Sequence, residues 1–249
     1  MRLLYQDDRV QVWNGDSRDL NMVDDESAGL VLTSPPWWNG GDYGHRDQIG
    51  FGQSYADFHE DLRRISEECL RCLMPGCAII LWMADLCRGE VCVPLAADTH
   101  RTLQLAGFVY EATYYWHSWP AIPLPAPEAC IPMTARPVHT AQALIAYRKP
   151  GRRAPPPPAI IEASRIDPQE YRASLQAIWT PDPLNDNPYG RLIRLWSYID
   201  DMVLEPFAGA GAAVPVLAKQ LGRRCVAVEL NEATCAQTVE RVRETKGEE

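Results

Sequence analysis

The chain has 249 residues, a formal net charge of −9 and 46% hydrophobic residues, enough for one α/β domain with a sizeable core. No apolar run reaches the ~18 residues that a membrane span needs, and the first residues do not read as a signal peptide, so an intracellular, cytoplasmic protein is expected. An acidic balance also argues against a general polyanion binder; only 136–172 is basic, with seven cations (Arg136, Arg148, Lys149, Arg152, Arg153, Arg165, Arg172) against Glu162, Asp167 and Glu170.

In chain order, Val10–Trp13 reads as a short strand that runs into Gly15-Asp16. The apolar run Ala28–Leu32 predicts a buried strand, and it enters Thr33-Ser34-Pro35-Pro36-Trp37. Two consecutive prolines fix φ and remove two backbone donors, which leaves the carbonyls of Ser34 and Pro35 open to a ligand. A planar group bearing NH₂ suits such a loop: one proton to Ser34 Oγ, one to a carbonyl, with Trp37 over the ring. An ordinary Pro-Pro turn reads equally well from this pentad alone. Residues 38–53 carry five glycines and little periodicity, as in a mobile flap, and include His45 and Arg46.

Tyr55–Leu73 has the apolar spacing of a helix, and a strand is predicted over 77–82. Of eight cysteines, Cys69, Cys72, Cys77, Cys87 and Cys92 cluster most tightly. No second Cys-x-x-Cys or His pair completes a zinc set, so buried reduced thiols and no metal are expected. Further on come a helix over 94–106, a strand over 108–116 and a partner strand over 141–147. Six prolines occupy 119–137, and Pro155–Pro158 reads as an extended spacer.

Near the C-terminus a strand over 202–204 ends at Glu205, and Pro206-Phe207-Ala208-Gly209-Ala210-Gly211 leads into a helix over 212–221. Glycines allow close backbone approach, and the helix start presents amides. A second strand, 224–229, ends at Glu229, 20 residues beyond Gly209, where doubly wound folds bind ribose hydroxyls.

Glu205-Pro206-Phe207-x-Gly209-x-Gly211 and Ser34-Pro35-Pro36-Trp37 together resemble the cofactor and catalytic motifs of DNA amino-methyltransferases dependent on S-adenosylmethionine. The catalytic motif comes first, as in the circularly permuted β class. Asn14-Gly15-Asp16, Leu73–Gly76 and Asn187–Ile193 extend the resemblance over most of the chain.

The resemblance implies a doubly wound, seven-stranded, Rossmann-like sheet in circularly permuted motif order. It implies a single domain with a small recognition insertion at about 118–178. Ser34, Pro35, Pro36 and Trp37 would be catalytic. Asp16, Thr33, Asn187, Pro188, Glu205, Phe207, Gly209, Gly211 and Glu229 would hold S-adenosyl-L-methionine. Asp16 is expected at the adenine amino group, Glu229 at the ribose, and Asn187 and Pro188 over the methionine, with a helix cap as the plainer role of Asn187. Arg136, Arg152, Arg153, His45 and Arg46 are the DNA contacts expected from charge and place in the chain.

Glu205 stands where the family usually has Asp, and Ala212-Ala213 where it usually has Thr-Thr. Serine before Pro-Pro is the family's usual mark for cytosine, so methylation of the cytosine amino group (N4) in double-stranded DNA is expected, the base being flipped into the pocket. Adenine-N6 methylation, a methyltransferase acting on RNA or a small molecule, and an inactive nucleic-acid-binding module are the other readings. A homodimer and a cognate restriction endonuclease are partners that the resemblance leaves open.

Overall fold

The computed structural model describes residues 1–88, 91–117, 140–181 and 187–245. A nine-stranded sheet runs through these residues. Its central strands are β3 (Ala28–Thr33), β4 (Leu73–Met83), β10 (Met202–Glu205) and β11 (Arg224–Glu229). These pair in parallel in the order β11-β10-β3-β4, and β2 (Val10–Asn14) joins β11 in parallel. β8 (Ala141–Arg148) and β7 (Val109–His117) close that side as an antiparallel hairpin on β4.

These seven strands are those expected from the sequence, and they are contiguous in the sheet. Nine replaces seven because β1 (Arg2–Gln6) and β9 (Ile178–Trp179) add one strand at each edge. Both edge strands escape sequence reading for physical reasons. β1 is largely exposed and carries no clear apolar alternation, and β9 is two residues long.

β3 is buried at all six positions, as a central parallel strand covered on both faces requires. On one face packs α1 (Tyr55–Cys72), which buries Phe58, Leu62, Ile65, Cys69 and Cys72 at helical spacing. Ser54 caps it by accepting from the Asp57 amide at 3.1 Å. α2 (Leu95–Leu105) lies beside α1. α5 (Pro188–Trp196), α6 (Ala213–Gln220) and α7 (Glu232–Glu244) are the other long helices, and Leu192, Ile193, Val214 and Val239 pack with the opposite set of core residues.

The segment expected as a recognition insertion divides into parts with different places. Residues 118–139, with Arg136, lie outside the described residues. The described residues that flank them, His117 and Ala141, pair at the carboxyl-end side of β4, where Met83 pairs with Ala143. β8 itself belongs to the main sheet. Beyond it the chain crosses the opposite, amino end of the sheet, carrying two short helices, α3 (Pro158–Ala163) and α4 (Pro168–Ser174). Pro158 opens α3, so the proline run is a helix start and not only a spacer.

Several contacts hold this crossing segment down: Arg153 grips Asp201 through two hydrogen bonds of 2.6 Å, Ser164 Oγ accepts from the Ile199 amide at 2.9 Å, and Glu170 on α4 accepts from Arg194 at 2.6 Å. Asp201 immediately precedes β10, which places Arg153 at the amino end. A Cβ on Gly29 would lie 2.6 Å from the Asp201 carboxylate, so only glycine fits beside this pair.

The cysteines depart in part from the expected reduced thiols. Cys69, Cys72, Cys77, Cys225 and Cys235 are buried and free, but Cys87 and Cys92 form a disulfide. They face each other across a small hairpin of β5 (Leu86–Arg88) and β6 (Val91–Val93), too short to be read from the sequence. Among the described residues no group of His, Cys, Asp and Glu is arranged to hold a metal, and no helix is long and apolar enough to cross a membrane.

Candidate active site

The carboxyl ends of β2, β3, β10 and β11 open into one cavity of about 540 Å³. Asp16, Ser34, Pro36, His45, Phe207, Gly209 and Glu229 line it, so seven expected residues meet although they span 213 positions of the chain. The pairing of β3 with β10, Val31 beside Leu204, brings the serine loop and the glycine turn together.

Glu229 anchors the glycine-turn side of the cavity. Its Oε2 accepts from the Gly209 amide at 3.0 Å and its Oε1 from the Asn231 amide at 2.8 Å. Each oxygen keeps a further lone-pair direction available to a hydroxyl. Gly209 has φ +59°, a left-handed geometry that glycine adopts without strain, and this aims its amide at Glu229. Asp16 faces the same cavity, with both carboxylate oxygens gripped by Arg18; the Arg18 Nη1 also bonds Asp61 at 3.0 Å.

Ser34 sits at the end of β3. Its Oγ donates to the Trp82 carbonyl at 3.4 Å, a long and weak bond. Pro35 is buried behind it. Trp37 does not line the cavity: it packs beside the core, half-buried, and its indole Nε1 finds no hydrogen-bond partner. The Trp37 carbonyl lies 3.0 Å from where a Cβ on Gly50 would sit, and Gly50 has φ +90°, so glycine is required there twice over.

Thr33 and Glu205 are fully buried and stand behind the cavity, not in its wall. The Thr33 hydroxyl donates to Glu205 Oε1, which also accepts from the Phe207 amide at 3.0 Å. Glu205 thus ties the glycine turn to the end of β3. Burial pushes the Glu205 carboxyl up to about 8; the Thr33 and Phe207 bonds oppose that rise, and the charge of Glu229 adds to it.

Folding therefore gains from burying Glu205 neutral. That stability is complete below its ordinary value of 4.5 and is lost as pH rises through about 8. Glu205→Gln keeps the accepting Oε1 and removes the ionisation. The variant should overtake the native chain in thermal stability above about pH 8, with a flatter profile across that window. Identical pH profiles for the two proteins would show that Glu205 ionises normally.

Several expected residues are not brought to the cavity. Asn187 caps α5, its Oδ1 accepting from the Tyr189 amide at 2.9 Å, and Pro188 is the first helical residue. Asn187 and Gly211 line a separate surface groove between α6 and α7. Ala212 caps α6 with φ +48° and no side-chain bond, which is where the missing hydroxyls tell. Arg46 is exposed and pairs with Asp47. Arg152 and Arg153, expected as DNA contacts, lie at the amino end of the sheet, away from this cavity, and Arg153 pairs with Asp201.

The glycine-rich segment 38–53, expected as a mobile flap, makes hydrogen bonds to its surroundings. The Asn231 side-chain amide donates to the Tyr43 carbonyl at 2.9 Å, and Arg18 to the Asp47 carbonyl at 3.0 Å. Gln48 Oε1 accepts from the Tyr43 amide at 2.7 Å. Tyr43, Asp42, Asp47, Gln48 and Asn231 thereby join the cavity wall. Sequence reasoning missed the first four because the 38–53 segment has no periodicity to reveal which side chains turn inward.

Residues 28–240 match the N6/N4 methyltransferase family of DNA methylases, and the chain belongs to that family. It is 29% identical over 119 residues to the type II β methyltransferase M.BslI of Bacillus sp. strain NEB-606, a stretch that covers 43% of this chain but 12% of that longer protein. Against the type II methyltransferase M.SmaI of Serratia marcescens it is 24% identical over 265 residues, covering 92% of this chain and 89% of the relative. The fold is similar to that of TTHA0409 from Thermus thermophilus, assigned as a DNA modification methylase and solved with S-adenosyl-L-methionine. There the TM-score is 0.80 and the identity 27%, with coverage of 96% of this chain and 97% of that one.

Proposed function

We propose that the protein methylates DNA from S-adenosyl-L-methionine, and that its main product is 4-methylcytosine in double-stranded DNA. One observation carries the reading: Ser34 shares a single cavity with Gly209 and Glu229, at the carboxyl ends of parallel strands where such sheets bind ligands.

The residues present fit the methyl donor. Glu229 and the Gly209 turn would hold its ribose and methionine sides, with Asp16 toward the adenine. When bound, the donor supplies an electrophilic sulfonium methyl group, so no covalent enzyme intermediate is needed. The task left to the chain is orientation and stabilisation of developing charge. An exocyclic amino group is a poor nucleophile because its lone pair is delocalised into the ring. Ser34 Oγ and the Pro35 carbonyl accept its two hydrogens, draw the nitrogen toward tetrahedral geometry and aim its lone pair. The cytosine reaches them by flipping out of the duplex, which costs a few kcal/mol.

Arg136, within the expected recognition segment, and His45 and Arg46 on the 38–53 segment are the DNA contacts of this reading, supported by His45 in the cavity wall. The order of motifs, Ser34 before Gly209, is the permuted arrangement of the β class.

Digesting the methylated duplex to nucleosides and reading them by mass spectrometry tests this function. 4-Methylcytosine as the main product supports it. Tritium transfer from labelled S-adenosylmethionine to a duplex of only A·T pairs, as efficient as to mixed sequence, would move the assignment to adenine. Labelling of RNA alone would remove DNA as the substrate.

A further inference from the structure

Arg18 lies outside the cavity wall and outside every motif, yet it holds Asp16, which lines that wall. The turn after β2 brings them together. The Asp19 amide donates to the Asp16 carbonyl at 3.1 Å, and Ser17 Oγ donates to the Pro206 carbonyl at 2.6 Å. The turn is thereby pinned to the glycine turn, and the Arg18 side chain folds back onto the Asp16 carboxylate.

The guanidinium is used on every edge. Nε is shared between Asp16 Oδ1 at 3.1 Å and Oδ2 at 3.0 Å, and Nη2 also donates to Oδ2. The far side of the fork is held in turn. Nη2 donates to the Asp47 carbonyl and Nη1 to Asp61 Oδ2, each at 3.0 Å. Asp61 is 8% exposed on α1 and accepts from Gln53 Nε2 at 2.8 Å, so it is itself fixed.

A carboxylate has about four lone-pair directions. On Asp16 the Arg18 amide takes one at 2.9 Å, Nη2 a second and the shared Nε a third. One direction is left for a ligand. A planar fork also fixes the plane of a carboxylate, which a point charge does not.

We propose that Arg18 is a positioning residue for the methyl donor, setting the Asp16 carboxylate so that its one remaining lone pair meets the adenine amino group. This rests on the reading of Asp16 as the acceptor for that amino group. Asp61 and the Asp47 carbonyl hold Arg18, Arg18 holds Asp16, and Asp16 selects the amino purine. The bonds of Arg18 do not go to the Ser34 loop, so it acts on donor binding and not on the transfer step.

The test is calorimetric titration of the full chain with S-adenosylhomocysteine and with its 6-deamino analogue, which lacks only the adenine amino group. The native protein should prefer the amino compound about tenfold, the weight of one hydrogen bond. Arg18→Met should lose most of that preference by weakening the amino compound, with the analogue little changed. In turnover, KM for S-adenosylmethionine should rise while kcat at saturating donor holds. Thermal unfolding checks that each variant is folded. Arg18→Lys carries the test if the methionine variant does not fold. It keeps the charge but offers one donor centre, so it should lose most of the preference as well.

Equal weakening of both compounds by Arg18→Met, with the preference intact, would make Arg18 a support of the fold alone and overturn the proposal. Unchanged affinities would overturn it too and leave the Asp16 reading standing. A native preference in Arg18→Lys would show that charge suffices and remove the role of the fork. No preference in the native protein would remove the reading of Asp16 itself.

Discussion

Replacing Ser34 by alanine should lower kcat for methyl transfer by roughly 10²–10³-fold, the cost of removing one preorganised hydrogen-bonding group from a site where charge develops. The hydroxyl touches the Trp82 carbonyl and faces the cavity at the end of β3, while the groups assigned to the cofactor lie on β10, β11 and the end of β2. Cofactor affinity should therefore change little. Calorimetric titration with S-adenosylhomocysteine separates the two effects. A tenfold weakening, ~1.4 kcal/mol, would place Ser34 in the cofactor site and break the assignment. The alanine variant should stay folded, since the single bond it loses is long and its neighbour Pro35 already fixes the loop.

Glu229→Ala should do the reverse and weaken S-adenosylhomocysteine binding by roughly 1.5–3 kcal/mol, the range for hydrogen bonds to a charged group. Two losses combine here. The carboxylate is the acceptor proposed for the ribose, and it also holds the Gly209 and Asn231 amides. Asn231 in turn bonds the Tyr43 carbonyl, so the 38–53 segment should loosen with it. Single-turnover methylation at saturating donor should recover most of the native rate, because Ser34 is untouched. Unchanged affinity in the titration would mean that the ribose is held elsewhere in the cavity.

Much of the architecture was legible in the chain because its physical causes are local. Ala28–Thr33 is apolar throughout, and only a strand covered on both faces accommodates that run at that length. Phe58, Leu62, Ile65, Cys69 and Cys72 recur at helical spacing, and they are the buried face of α1. The Gly209 turn and Glu229, 20 residues apart, announced adjacent strand ends, and the structure joins them by a 3.0 Å bond.

The sequence by itself determined seven of the strands, the helices α1, α2 and α6, and the cavity residues Asp16, Ser34, Pro36, Phe207, Gly209 and Glu229. Each belongs to a strand end or tight turn whose signature spans a few neighbouring residues. The tertiary structure alone decided the rest. Charge counted along the chain singled out Arg152 and Arg153, but ion pairing with Asp201 depends on a partner 48 residues away and carries Arg153 to the far end of the sheet. Thr33 and Glu205 read as cofactor ligands, yet at 172 residues' separation they bond each other, and burial turns them into a tie between two strands. Contacts made between distant segments leave no periodicity or spacing in either segment, which is why they wait for the fold.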